Sequence, residues 1–145
     1  MTEAEPFKIA VTRQYDAAPE VVFDAWLDPA SARHWLFATE NGEMLRAEID
    51  PCVGGEFCFL ERRGDENIEH LGEYLEIDRP RRLAFMFTVN QSDDVSRVVI
   101  DIAAAAAGTG SDLTLTHLVH PKWASFAERT RQGWEMILDG LAKVV

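Results

Sequence analysis

The hydrophobic pattern of this chain changes its period once, near residue 120, and this change constrains the fold more than any other feature. Before that point, apolar residues alternate with polar ones in short runs, as at Phe7, Ile9 and Val11, which is typical of half-buried strands. From Lys122 onward, apolar residues recur every three or four positions, which predicts one amphipathic helix of about six turns. The predicted apolar stripe of this helix contains Trp123, Phe126, Ala127, Thr130, Trp134, Ile137, Leu138, Leu141 and Val145.

Turn residues divide the first part of the chain into short elements. Asp16 and Pro19 predict the start of a helix over 19–27, and Asp28 predicts the cap of a second helix over 30–36. The alanine run at 103–107 favours helix by propensity, but its place before a Gly-rich turn predicts the end of a strand. Strands are predicted over 7–15, 43–50, 56–62, 70–78, 83–89, 96–104 and 112–119.

This order of elements predicts an α+β fold in a single domain over 1–145, with a flexible segment at 1–6. Consecutive strands joined by short turns form an antiparallel sheet, and its apolar face has to be covered by another layer. Only the C-terminal helix is long enough to cover it. Because a curved sheet wrapped around one helix leaves space between the two layers, this space is the first candidate for a binding site.

Charge and cysteine content exclude several classes of function. Lys and Arg number 14 against 25 Asp and Glu, and the net charge of −11 would repel nucleic acid and an anionic membrane. The longest apolar run, 102–107, is far shorter than the ~20 residues of a membrane span. The N-terminus lacks a signal-peptide pattern, and Cys52 and Cys58 lack the spacing of a zinc site. We therefore expect a cytoplasmic protein with free thiols, no nucleic-acid partner and no membrane span.

The common catalytic and nucleotide-binding motifs are missing from the sequence. His117 and His120 are three positions apart on a predicted strand, so their side chains point to opposite faces and do not share a metal. No basic neighbour in sequence lowers the pKa of either cysteine thiol. We therefore expect no metal and no cofactor.

Four ionisable residues interrupt the predicted apolar face of the sheet. Arg13 and Glu61 lie at strand ends, where exposure to solvent is the simplest explanation. Glu73 and His117 lie within the apolar rows, and a buried ionisable group needs a partner, water or a ligand. Each is therefore either a satisfied structural group or a polar anchor in a pocket. Gly133, inside the terminal helix, fits either close packing against the sheet or room for a ligand.

Together these stretches resemble the helix-grip fold of the SRPBCC superfamily, which includes the START proteins and the birch-pollen allergens. Within it, the chain is similar to homologues of the C-terminal domain of the heat-shock-protein ATPase activator, with Trp35-Leu36-Phe37 where that family commonly has a Trp pair. The resemblance implies a curved sheet of about seven strands around a long C-terminal helix, and single-domain members of this kind are typical of bacteria. The resemblance implies a cavity for an apolar or amphipathic molecule, and it assigns no set of catalytic residues to positions in this sequence. The matching stretches are Ala18-Pro19-Glu20-Val21-Val22-Phe23, Asp28-Pro29 with Trp35, Val53-Gly54-Gly55-Glu56-Phe57, Gly72 to Pro80, Arg82 to Phe85, Gly133-Trp134 and Leu138 to Leu141.

The sequence therefore predicts a protein that binds a small apolar molecule, a lipid or an aromatic compound, between sheet and helix. Two alternatives stay open: a cyclase- or hydrolase-like enzyme that uses Glu73 or His117 as general acid or base, and a module that binds a chaperone through an exposed apolar patch. The residues predicted to contact the ligand are Phe57, Phe59, Glu73, Phe85, Phe87, Val98, His117, Trp134, Ile137 and Leu138.

Overall fold

Seven antiparallel strands form one sheet in the computed structural model, which describes residues 7–39, 41–90, 95–106, 108 and 110–145. The flexible segment predicted at 1–6 and the end of the alanine run at 107 lie outside the described residues. The strands are β1 Phe7–Tyr15, β2 Glu43–Ile49, β3 Glu56–Arg63, β4 Glu66–Asp78, β5 Arg82–Val89, β6 Ser96–Ala104 and β7 Ser111–Val119. The helices are α1 Pro19–Leu27, α2 Pro29–Ala32 and α3 Ala127–Leu141, and a 3₁₀ segment, Pro121–Phe126, precedes α3.

The strand order across the sheet is β1-β7-β6-β5-β4-β3-β2, so the first and second strands form opposite edges. The two short helices make the crossing between these edges. The first strand pairs with the last, β7, and all other neighbouring strands are consecutive along the chain. The predicted α+β fold, with a long C-terminal helical element and short helices after the first strand, is confirmed. The largest difference among the strands is β4, which begins at Glu66 because Gly64, at φ +62°, closes a tight turn there.

The helices differ from prediction at their ends. Helix α1 has the predicted limits but starts from Ala18 without a side-chain cap, whereas Asp28 caps α2 by accepting a hydrogen bond from the amide of Ala30. Helix α2 ends at Ala32 instead of residue 36. The predicted single helix after residue 122 begins as a 3₁₀ segment, in which residues three apart lie above one another. Trp123 and Phe126 accordingly pair their rings, with centroids 5.5 Å apart.

Helix α3 lies against the sheet mainly with its second half. Trp134, Leu138 and Leu141 are buried, and the hydroxyl of Tyr15 on β1 donates a hydrogen bond to the carbonyl of Leu138 over 2.9 Å. In contrast, Trp123 and Phe126 in the preceding 3₁₀ segment are 38% and 45% exposed. The helical element therefore separates from the sheet toward its N-terminal end.

Two assignments of side chains to the faces of the sheet are wrong. On β4 the inward residues are His70, Gly72 and Tyr74, whereas Glu73 is exposed on the outer face, because a bulge after Tyr74 shifts the alternation along the strand. Glu61 was expected to be exposed at a strand end but is only 1% exposed. Its carboxylate is buried and accepts hydrogen bonds from Thr39, outside its strand, and from Arg63, two residues further along the same strand.

Leu45 on β2 is apolar but 46% exposed. A bulge between Met44 and Arg46 interrupts the register of β2 with β3, and a bulge reverses the facing of the residues that follow it. Met44, Ala47 and Ile49 are the residues of this strand that pack against the core.

Candidate functional site

An open cavity of about 480 Å³ lies where the first half of α3 separates from the sheet. The register pairs His70 with Val89, Phe87 with Ser96 and Val98 with His117, so these residues meet at one end of strands β4 to β7. Within the described residues, the lining includes aromatic, imidazole and hydroxyl side chains but no carboxylate, lysine or arginine. The lining residues are Phe37, His70, Phe87, Thr88, Val89, Ser96, His117, Trp123, Thr130, Gly133, Trp134 and Ile137.

The predicted contact residues fall into three groups. Phe87, His117, Trp134 and Ile137 line the cavity. Glu73 faces the opposite side of the sheet, where it borders a separate shallow depression with Met86. The remaining five lie in the hydrophobic core beside the cavity rather than on its wall: Phe57, Phe59, Phe85, Val98 and Leu138.

Several cavity residues were missed by the sequence reasoning. His70 was missed because Glu73 was predicted on the apolar face, and residues three apart on a strand point to opposite faces. Phe37 and Ser96 gave no signal, since one lies in an irregular turn and the other is a polar residue at a strand start. The inward position of Tyr74 was the one feature that pointed to His70, because the two are four residues apart on one strand.

Phe37 forms one wall of the cavity with an unusual backbone conformation. Its φ is +58° although it is not a glycine, and it is buried. Bulky residues rarely adopt this left-handed conformation, and it persists only where surrounding contacts hold it. The Arg63 side chain donates a hydrogen bond to the Phe37 carbonyl over 3.3 Å. The ring is in turn stacked on the imidazole of His70, with centroids 4.2 Å apart and 10° between the planes.

The buried carboxylate of Glu61 fixes the segment that follows Phe37. It accepts hydrogen bonds from the amide of Thr39 over 2.6 Å and from the Thr39 hydroxyl over 3.1 Å. The Nε atom of Arg63 donates a further hydrogen bond to the same carboxylate. Glu61 and Arg63 therefore hold the Phe37–Thr39 segment against β3, and with it the wall of the cavity.

His70 is a buried imidazole with an unused nitrogen. Its Nδ1 atom is buried and makes no hydrogen bond within the described structure. Burial, with a smaller contribution from the nearby positive charge of Arg63, lowers its pKa from 6.5 to about 4. The ring is therefore neutral at pH 7. It contributes a polar edge to the cavity without a charge.

His117 belongs to a chain of hydrogen bonds at the base of the cavity. The indole Nε1 of Trp134 donates to its Nδ1 over 3.0 Å, and its Nε2 lies 2.8 Å from the hydroxyl oxygen of Ser96. An indole nitrogen only donates, so Nδ1 of His117 is the unprotonated nitrogen. Burial lowers the pKa of His117 to about 4, so the ring is neutral and carries its proton on Nε2.

Gly133 opens the cavity on the helix side. A Cβ atom built on this residue meets no atom within 4 Å, and the residue lines the cavity. Close packing of the helix on the sheet is therefore not the reason for this glycine. Gly140, further along the same helix, is closely packed in contrast, because a Cβ atom built on it would lie 3.2 Å from the Cβ of Trp35.

The remaining reactive groups do not form a second site. Cys52 and Cys58 are free. The Cys52 pKa is raised by a hydrogen bond to Asp50, and the Cys58 pKa is raised by burial, so neither thiol is activated as a nucleophile. Over the described part of the chain, no three His, Cys, Asp or Glu side chains cluster as metal ligands. None of its helices has the length and apolar character needed to cross a membrane.

An antiparallel sheet, a C-terminal helix across it and an open apolar cavity between the two define a helix-grip protein of the SRPBCC superfamily. The model of the family described as "Activator of Hsp90 ATPase homolog 1-like protein" matches residues 16–145. The chain belongs to this family.

Solved structures support this placement. Protein CV1439 from Chromobacterium violaceum is 26% identical, with a TM-score of 0.84 over 97% of this chain and 98% of that chain. CalU16 from Micromonospora echinospora is 25% identical, with a TM-score of 0.70 over 94% of this chain and 74% of that chain. An AHSA1-like protein from Aeromonas hydrophila shares the fold at 24% identity, with a TM-score of 0.80 over 94% and 90% of the two chains. None of the functionally curated proteins matches the chain.

Proposed function

We propose that this protein binds a small, uncharged and largely apolar molecule in the cavity between α3 and the sheet. The observation that carries the proposal is the open space above Gly133, where a Cβ atom would meet no atom within 4 Å apart from the neighbouring helix backbone and adjacent residues. The volume of about 480 Å³ lies within the usual range of small-molecule sites, about 300–1,000 Å³. Aromatic walls supply affinity by burying apolar surface, on the order of 25 cal/mol per Å².

The charge of the site supports an uncharged ligand. The described lining includes neither a cation nor a carboxylate, and both imidazoles are held neutral by burial. A charged ligand group would therefore lose its hydration without gaining a counter-charge. The net charge of −11 further disfavours an anion.

Of the predicted contact residues, we keep Phe87, His117, Trp134 and Ile137 as direct ligand contacts, because they line the cavity. The five in the adjoining core act by supporting this wall, and Glu73 is left out because it faces the other side of the sheet. We also propose a cytoplasmic location, which two free cysteines support. A bacterial origin is supported by the sources of the three similar structures.

The enzymatic alternative has less support. His117 lies within hydrogen-bond distance of Ser96, as a general base and a nucleophile would. However, the indole proton of Trp134 occupies Nδ1, so Nε2 is already protonated and does not accept the Ser96 proton. Glu73, the other proposed acid or base, lies outside the cavity.

The chaperone alternative predicts a broad exposed apolar patch and no cavity. The described residues line an open cavity, and the large exposed apolar side chains include residues on separate elements, such as Val21, Leu45 and Met136. Single exposed apolar residues of this kind are normal on a protein surface. These observations favour a small-molecule ligand over a chaperone surface.

The test is binding of the neutral fluorescent probe N-phenyl-1-naphthylamine to the wild type and to two leucine variants of α3. Gly133→Leu places its side chain in the cavity and should weaken binding by about tenfold or more, equivalent to ~1.4 kcal/mol. Gln132→Leu is the matched control, because Gln132 is exposed on the same helix, and it should bind the probe as the wild type does. Equal binding by all three proteins, or no saturable binding by the wild type, would contradict the proposal.

A further inference from the structure

We propose that Ser96 is the hydrogen-bond donor that selects the ligand, and that the preferred ligands are apolar molecules with an uncharged oxygen acceptor such as a ketone or aldehyde carbonyl. His117 and Trp134 act as positioning residues that fix the direction of the Ser96 hydroxyl. The inference rests on the proposed function, since it needs a ligand in the cavity. It adds the chemical group by which that ligand is recognised.

The direction of the hydrogen bonds begins at Trp134. Its indole nitrogen has a proton and no lone pair to offer, so the 3.0 Å contact with Nδ1 of His117 has only one possible polarity. Trp134 is buried, as are Leu138 and Leu141 of the same helix. The donor is therefore held in place by the fold and does not depend on a ligand.

The same polarity passes through the imidazole to Ser96. Because Nδ1 of the neutral ring accepts, Nε2 carries the proton and donates it to the Ser96 hydroxyl oxygen 2.8 Å away. That bond occupies one lone pair of the oxygen and turns the Ser96 proton away from His117. Over the described chain, no protein acceptor takes the Ser96 proton, and Ser96 lines the cavity.

The imidazole of His70, the other buried polar side chain described beside the cavity, does not impose a polarity. Among the described residues, none forms a hydrogen bond with Nδ1 of His70, so this nitrogen can adapt to a donor or an acceptor on a ligand. Ser96 differs because its oxygen already receives a proton from His117, which favours the hydroxyl as a donor. A ligand acceptor therefore completes the chain, and chains of aligned hydrogen bonds strengthen one another.

A carbonyl is the acceptor that fits the rest of the wall. A carboxylate would accept the same hydrogen bond, but the described lining supplies no cation to balance it. A carbonyl on an aromatic or aliphatic framework keeps the apolar contacts with Phe87 and Ile137 and adds one acceptor. The selection is thus between apolar molecules that have such an oxygen and those that do not.

The experiment compares two ligands of nearly identical shape, 2-acetylnaphthalene and 2-isopropenylnaphthalene, in which a C=CH2 group replaces the carbonyl. Their affinities are measured by displacement of N-phenyl-1-naphthylamine from wild type, Ser96→Ala and Ser96→Thr. Ser96→Ala should weaken binding of the ketone roughly fivefold, the usual value of one hydrogen bond, and leave binding of the alkene unchanged. Ser96→Thr retains the hydroxyl and should restore the ketone affinity.

Infrared spectroscopy of carbonyl-labelled 2-acetylnaphthalene measures the carbonyl stretching frequency, which responds to a hydrogen bond from Ser96 and would not change if Ser96 had only a structural role. The bound carbonyl band should lie at lower wavenumber in wild type than in Ser96→Ala. In His117→Phe, nothing fixes the direction of the Ser96 hydroxyl, so the carbonyl band of the bound ketone should broaden. If this variant does not fold, as judged by circular dichroism, the two Ser96 variants carry the test.

The outcomes separate the inference from the proposed function. If both naphthalenes bind with the same ratio in wild type and Ser96→Ala, and the carbonyl band does not move, the inference is wrong and the cavity remains a binding site. If neither naphthalene binds and the fluorescent probe does not bind, the proposed function is wrong and the inference is wrong with it.

Discussion

The ring of Phe37 lies parallel to the imidazole of His70, with centroids 4.2 Å apart and 10° between the planes. Phe37 comes from the irregular segment after α2, whereas His70 is in the middle of β4. The contact therefore joins two parts of the chain that are distant in sequence at the wall of the cavity. It also shields the imidazole from water, which is the main cause of its low pKa.

We expect Phe37→Ala to weaken the fold and expose His70. Removing a buried aromatic ring costs about 3–5 kcal/mol of unfolding free energy, which urea denaturation followed by circular dichroism measures. The pKa of His70 should rise from about 4 toward its ordinary value, because water gains access to the ring. Titration of its proton NMR signals checks this shift. Val53→Ala is the control, because Val53 is 65% exposed, and a loss of similar size there would contradict the assigned role of Phe37.

The two buried histidines predict a loss of stability between pH 6.5 and about 4. Their pKa in the folded state is lowered from 6.5 to about 4, so in this range the unfolded chain binds more protons than the folded one. The free energy of unfolding therefore rises with pH across this window and is constant above it with respect to these groups. The full effect is roughly 3 kcal/mol for each histidine.

Thermal melting across pH 4–7 checks this dependence in wild type and in His70→Phe, which should remove the part that belongs to His70. His34→Gln is the matched control, because His34 is exposed, and its profile should follow that of the wild type. The paired carboxylate of Asp24, whose pKa Arg79 lowers, loses its contribution only at lower pH. A flat profile from pH 7 to 4 would contradict the burial of both imidazoles as neutral groups.

The sequence predicted the strands and helices well because their limits depend on local signals. The alternation around Ile9 and the turn residues between strands are local, and so is the apolar stripe around Leu138. The limits of β6 are those predicted. The cavity follows in part from the same pattern, since Thr130, Trp134 and Ile137 of the predicted apolar stripe line it.

The polar groups of the site could not be predicted because they depend on contacts between distant segments. The facing of β4 was wrong because Leu71 is apolar on the outer face and a bulge follows Tyr74. The buried carboxylate of Glu61 accepts hydrogen bonds from the amide and the hydroxyl of Thr39, which lies outside its strand. The left-handed conformation of Phe37 has no sequence signal, because a phenylalanine is ordinarily expected to have a negative φ.

The pair formed by Glu61 and Arg63 should contribute more than the exposed ion pairs. Arg63→Met removes the cation that pairs with the carboxylate of Glu61, whose side chain is 1% exposed. A buried charge without a partner is strongly destabilising. Since the Arg63 side chain is itself 37% exposed, we expect a loss of about 2–3 kcal/mol in unfolding free energy, at or below the lower end of the usual range.

Arg82→Met is the control, because the ion pair between Arg82 and Asp101 is 2.7 Å long but nearly half exposed on both sides. Exposed pairs contribute about 0–1 kcal/mol, so this variant should unfold close to the wild type in urea. The double variant Glu61→Gln/Arg63→Met should recover part of the loss of Arg63→Met, since no charge is then left buried. Equal losses for Arg63→Met and Arg82→Met would contradict the role given to the buried pair.

The tautomer of His117 should depend on Trp134. In the wild type, the indole proton requires an unprotonated Nδ1, so correlation of ring carbon protons with nitrogen-15 should show the proton on Nε2. Trp134→Phe removes the donor and keeps an aromatic ring, and the two tautomers of the neutral imidazole should then be mixed. His120, which is exposed, is the internal reference and should give the same nitrogen shifts in both proteins. Nε2 of His117 is free to accept the Ser96 proton only in the variant. A hydrolytic activity that is present in wild type and unchanged in Trp134→Phe would therefore contradict the hydrogen-bond direction from Trp134 through His117 to Ser96. It would also favour an enzyme over a binding protein.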